Sequence, residues 1–131
     1  MLMVIARMEK FNSEAFYERL LNFGKKCQQL VLILPKTQYN WEYGGQLIRS
    51  SASPGSNYIE ALEALGKKDF IHKLRICRKE TRESLHWLRL IEFSNSKLKE
   101  IVDECGGLKN EGREIIKILT SSIITLEKKG N

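Results

Sequence analysis

Lys68, His72, Arg75, Lys79, Arg82, His86 and Arg89 follow one another at intervals of four and three residues. On a helix that spacing gathers them into one stripe, because each residue turns the chain by about 100°. A row of cations on one helical face neutralises phosphates and releases their counterions without reading base sequence. With Arg49 and Arg78 included, the residues expected to contact phosphate are Arg49, Lys68, Arg75, Arg78, Lys79, Arg82 and Arg89. The same stripe also fits the solvated outer face of a bundle helix, since Lys and Arg are good helix formers. Glu80 and Glu83 interrupt it and suit ion pairs with neighbours three or four residues away. The aromatics Trp41, Tyr43, Tyr58 and Trp87 suit either base stacking or a role as core and interface anchors. There is no RNA-recognition motif, KH loop or zinc knuckle.

Other chemistry finds less support. Glu83-Ser84-Leu85-His86 has the Glu-x-x-His spacing of a carboxylate-bridged di-metal site, and Asp69-Phe70-Ile71-His72 is a looser version. Both fall in the same predicted helix, about 21 Å apart, so they cannot share one site within a chain. Neither histidine stands beside a serine in a triad order. Gly66-Lys67-Lys68 lacks the remainder of a phosphate loop. No metal, cofactor or catalytic residue is predicted.

The elements that position the basic stripe come from periodicity. Phe16, Leu20, Phe23, Cys27, Leu30 and Leu34 alternate by four and three, predicting a helix over 12–34 with Asn12 or Ser13 as its cap and Pro35 as its end. Phe70, Leu74, Cys77, Thr81, Leu85 and Leu88 predict a helix over 67–92. Its apolar stripe lies roughly 130–140° from the basic one, so the cations face outward. Ile115, Leu119, Ile123 and Leu126 predict a last helix over 108–128, after a break at Gly106-Gly107. Residues 95–105 read as a short helix or an irregular extension. The segment between Asn40 and Gly66 is ambiguous. Its middle, Ser50-Ser51-Ala52-Ser53-Pro54-Gly55-Ser56, reads as a linker by propensity, or as a surface where helices approach closely.

Composition supports one soluble helical domain. The chain has 131 residues, enough to bury a core without staples, and its 42% apolar and 29% charged content excludes a disordered chain. Two prolines favour long helices over many short strands. Met1 to Ala6 are too few and lack the basic flank of a secretory signal, and no apolar run reaches the ~20 residues of a membrane span. Residues 1–11 are read as an N-terminal extension, with Met8 an alternative start, and 12–131 as the domain. Cys27, Cys77 and Cys105 form an odd set without a C-x-x-C, which predicts a reducing, cytoplasmic setting. Cys27 and Cys77 sit on apolar stripes and read as core residues. The net charge of +6 suits an acidic partner without specifying one.

Residues 46–61 resemble a known signature: Gln46-Leu47-Ile48-Arg49, the small-residue run, then Ser56-Asn57, the pair Tyr58-Ile59, and Glu60. Lys67-Lys68-Asp69-Phe70-Ile71-His72, Arg75-Ile76-Cys77-Arg78 and Glu83-Ser84-Leu85-His86-Trp87-Leu88-Arg89-Leu90 continue the likeness in order. The chain is similar, over about residues 12–128, to the four-helix-bundle family encoded by intervening sequences inside bacterial 23S ribosomal RNA genes. Two departures from many members stand out: Ala61 stands in place of a glycine, and Lys79-Glu80 in place of Gly-Ser. The resemblance implies that the small-residue run lies inside a long second helix, over 40–65 and irregular near Pro54. It also implies homo-oligomeric rings, typically pentamers. Related proteins that accompany diversity-generating reverse transcriptases resemble basic pentamers that bind nucleic acid.

The expectation is therefore an all-α, antiparallel, up-and-down, left-handed four-helix bundle. Its expected function is a non-enzymatic, ring-forming scaffold with weak, sequence-independent RNA or DNA binding through basic helix faces. The alternative is an adaptor that binds another protein and no nucleic acid. No membrane partner is expected.

Overall fold

The structure, a computed structural model, describes residues 2–129, with side chains over 13–129. Four helices follow in order: α1 (Leu2–Leu32), α2 (Gln38–Leu62), α3 (Lys67–Ser94) and α4 (Lys99–Lys128). α1 begins at Leu2 rather than at residue 12. Nothing in residues 2–11 stops a helix: they contain no Pro or Gly, and Ala6, Arg7, Met8, Glu9 and Lys10 are all strong helix formers. Asn12 and Ser13 consequently lie within the helix and are not its caps. How the side chains of the expected extension are arranged lies outside the described residues. At the other end, Leu34 N–H donates to the Val31 carbonyl in a tight turn just before Pro35.

α2 runs through the small-residue segment, so the linker reading of that stretch is wrong and the long second helix is right. Its cap is Thr37, whose hydroxyl accepts from Asn40 N–H at 3.2 Å. Pro54 sits inside the helix and is buried. Such a proline costs a backbone hydrogen bond, and only packing holds it. Here the packing is close: the Pro54 carbonyl accepts from the Cys77 thiol at 3.3 Å, and the Ser50 and Ser84 hydroxyls meet at 2.9 Å. α2 ends at Leu62, short of the expected 65, and Gly66 in extended backbone caps α3.

The predicted break at Gly106-Gly107 is also overturned, because both glycines lie inside α4. Two helical glycines cost about 2 kcal/mol relative to alanine. Against that, Ile101, Cys105 and Leu108 are buried in the same stripe as Ile115, Leu119, Ile123 and Leu126. Burial of one large aliphatic side chain is worth about 1.5–3 kcal/mol, so the continuous stripe outweighs the glycines.

α1 packs on α2, α2 on α3, α3 on α4, and α4 back on α1. The inward faces form one core that includes Leu20, Phe23, Leu47, Leu88, Ile91, Ile115 and Leu119, and all three cysteines. Cys105, which periodicity had left out of the core, is fully buried. At one end of the bundle, Asn40 and Asn95 bond reciprocally. Asn40 Nδ2 donates to Asn95 Oδ1 at 3.0 Å, and Asn95 Nδ2 donates to Asn40 Oδ1 at 2.8 Å. The remaining amide hydrogens go to the Pro35 and Ile91 carbonyls, so both buried amide groups are satisfied. Among the described residues, no helix is long and apolar enough to cross a membrane.

Candidate functional site

The orientation of α3 decides where the basic stripe points. Phe70, Leu74, Cys77, Thr81, Leu88 and Ile91 are buried, which turns Lys68, His72, Arg75, Lys79, Arg82, His86 and Arg89 outward, all exposed. From Lys68 to Arg89 the ridge runs about 32 Å at the helical rise. Its middle is a shallow depression of about 390 Å³ lined by Arg75, Arg78, Lys79, Arg82, Glu83 and His86.

The cations differ in how far they are already engaged. Lys68, Arg82 and Arg89 form no ion pair among the described residues. Arg75 pairs with Glu127 on α4. Arg78 is half-buried and donates to Thr120 Oγ1 at 3.2 Å, bracing α3 against α4. Lys79 stands 4.0 Å from the Glu80 carboxylate. Around the depression the field is positive but partly offset by these carboxylates.

Arg49 is set apart from the ridge. It lies on α2, with Nη1 3.2 Å from Glu80 Oε1, Nη2 2.9 Å from Glu83 Oε2, and Nε donating to Gln46 at 3.2 Å. The hydrogen bond to Glu83 is the main reason its pKa is raised above the ordinary arginine value. Its guanidinium is therefore occupied in clamping α2 to α3. Glu80, which the sequence reading treated as an interruption of the stripe, is the buried side of that clamp, 7% exposed.

The four aromatics separate into three environments. Tyr58 is buried in edge contact with Phe16, with centroids 5.1 Å apart, and is a core residue. Trp41 is 77% exposed on the far side of α2. Tyr43 and Trp87 pack across the α2–α3 seam with ring centroids 6.0 Å apart, and His86 meets Trp87 edge to face at 4.8 Å. Trp87 Nε1 is buried without a hydrogen-bond acceptor.

A second surface lies on α2. Trp41, Gly45, Ile48, Ala52, Ile59 and Leu62 are exposed and fall on one four-three repeat, interrupted at the buried Gly55. Leu32 on α1 extends this apolar strip, and a depression of about 810 Å³ lined by Val31, Leu32, Trp41, Gly45 and Ile48 opens at its end. Sequence reasoning assigned the small-residue run to close packing, within the bundle or between subunits. Ser50, Ser51, Pro54 and Gly55 face inward, whereas Ala52 and Ser56 are left on the surface. The strip itself went unread, although its spacing was present in the sequence.

Among the described residues, no cluster of three or more His, Cys, Asp or Glu is placed to hold a metal ion. Glu83 pairs with Arg49, and His86 packs on Trp87. The cysteines offer no reactive thiolate: burial, above all, pushes each thiol up to about 12.

A bundle with this arrangement of helices has known counterparts. The model of the 23S rRNA-intervening sequence protein family matches residues 13–121, and the chain belongs to that family. A crystal structure of a protein of unknown function from the S23 ribosomal protein family of Bacteroides thetaiotaomicron superposes with a TM-score of 0.74. It is 31% identical, and the match covers 85% of this chain and 96% of that one. No curated protein matches the chain.

Proposed function

We propose that this protein is a non-enzymatic, self-assembling scaffold that binds RNA or DNA weakly and without sequence preference along the outer ridge of α3. The observation that carries the reading is the row of exposed cations, in which Lys68, Arg82 and Arg89 have no intramolecular ion pair among the described residues. Phosphate contact would fall mainly to these three, with Arg75, Arg78 and Lys79 around the depression. Arg49 supports them indirectly by engaging Glu80 and Glu83, which would otherwise repel phosphate. Paired positions fall on one helix as they rise on its neighbour: Asn40 with Asn95, Arg49 with Glu83, Lys73 with Glu60. That favours the up-and-down antiparallel bundle, left-handed in our reading.

The exposed α2 strip supports homo-oligomerisation, and we take a closed ring, a pentamer, as the assembly. Repeating a modest ridge around a ring raises weak contacts into useful avidity. Three unpaired thiols suit a cytoplasmic protein. The alternative, a protein-binding adaptor without nucleic-acid binding, draws on the same α2 strip, which a different protein would then cover.

Labelled RNA and duplex DNA titrated at two salt concentrations, with mass measured by light scattering on the same sample, test the reading. The expected result is an oligomer whose binding weakens steeply with salt and disappears in the Arg75→Glu, Arg82→Glu, Arg89→Glu triple variant. Absence of binding at low salt, or binding untouched by the triple variant, refutes it.

A further inference from the structure

We infer that the α3 ridge selects single-stranded over duplex nucleic acid, with the His86 ring as a base-stacking platform; this rests on the phosphate-contact reading above. Three observations lead there. His86 is exposed and lines the basic depression together with Arg75, Arg78, Lys79 and Arg82. On its own helix it stands one turn from Arg82 and one turn from Arg89, the two ridge arginines without an intramolecular ion pair among the described residues. Its ring meets that of the neighbouring Trp87 edge to face, and Trp87 is itself packed on Tyr43.

Each feature has a consequence for the ligand. Cations alone do not distinguish a duplex from a single strand, because both present phosphates. An aromatic ring flanked by cations does, because stacking on it requires a base face that is free, and duplex base faces are already covered by their neighbours. His86 and Trp87 meet at 67° rather than in a stack, so the imidazole has no parallel ring partner among the described residues. The edge contact with Trp87 restricts the ring, so less rotamer freedom is lost when a base docks. Tyr58 and Trp41 do not contribute, since one is core and the other lies on the far side of α2.

Of the two tryptophans, Trp87 is in contact with the proposed platform and Trp41 lies outside it, so the intrinsic fluorescence of the unaltered protein reports on the site without disturbing the α2 strip. The protein is titrated at low salt with a homopolymeric oligouridylate and with an RNA duplex of equal length. The expected result is tighter binding of the oligouridylate, accompanied by a change in Trp87 fluorescence that the duplex does not produce. His86→Ala is expected to weaken oligouridylate binding about tenfold and to leave duplex binding unchanged, while His86→Phe retains it. Equal affinity for both ligands, or a His86→Phe protein as weak as His86→Ala, overturns the stacking platform but leaves phosphate contact standing. Failure of both ligands to bind removes the phosphate-contact reading and this inference with it.

Discussion

Two glycine-to-alanine substitutions, at Gly24 and at Gly107, should affect stability differently although both residues are helical. By helix propensity alone, each alanine would stabilise by about 1 kcal/mol. At Gly107 nothing lies within 4 Å of the added methyl group, so the full gain is expected. At Gly24 the methyl carbon would lie 3.0 Å from the Ser51 carbonyl oxygen and 3.8 Å from the Ala52 Cα. Those atoms are α2 backbone and cannot rotate aside, so α1 and α2 must separate along a packed interface. Overpacking of that kind costs about 1–3 kcal/mol, which exceeds or cancels the propensity gain. The two variants should therefore differ by about 2 kcal/mol. For a chain of this size that is a separation of about 6–10 °C in melting temperature. Thermal and urea denaturation followed by circular dichroism, at one fixed protein concentration so that assembly contributes equally, measures it. If Gly24→Ala proves as stabilising as Gly107→Ala, the close approach of α1 to α2 is refuted.

Further outcomes follow from the buried polar groups and thiols. Asn95→Ala should cost about 1–3 kcal/mol in urea denaturation, because it strands the buried Asn40 amide without its reciprocal partner. Arg49→Ala should cost about 1–2 kcal/mol by leaving the Glu80 carboxylate buried beside only a distant lysine, and adding Glu80→Gln should recover part of the loss. The three cysteines should resist a thiol reagent in the folded protein and react once denaturant is added. With folded thiols pushed up to about 12 from an ordinary 9.0, the folded state holds protons that the unfolded state releases. Stability should therefore be insensitive to these groups below pH 9 and fall as pH rises from about 9 to 12, which denaturation across that range would detect.

The helical character of the chain and the inward stripes of α1, α3 and α4 were legible from periodicity, because a four-three repeat of apolar residues has one low-energy solution. The outward direction of the basic stripe followed from the same arithmetic, since two stripes on one helix cannot both face the core. Propensity misled where packing was stronger. Gly106-Gly107 reads as a break only if Ile101, Cys105 and Leu108 are not joined to the stripe beyond it. The 50–56 run reads as a linker until Ser84, Cys77 and Gly24 are brought against it, and here the family resemblance, not propensity, pointed to the helix. What only the tertiary structure decided are relations between distant positions: the Asn40–Asn95 pair, the engagement of Arg49 by Glu80 and Glu83, and the packing on Tyr43 of Trp87, which His86 meets edge to face. Periodicity specifies which way a side chain points from its own helix. Which side chain of another helix it meets depends on the register between helices, and that is set by the packing of the whole core.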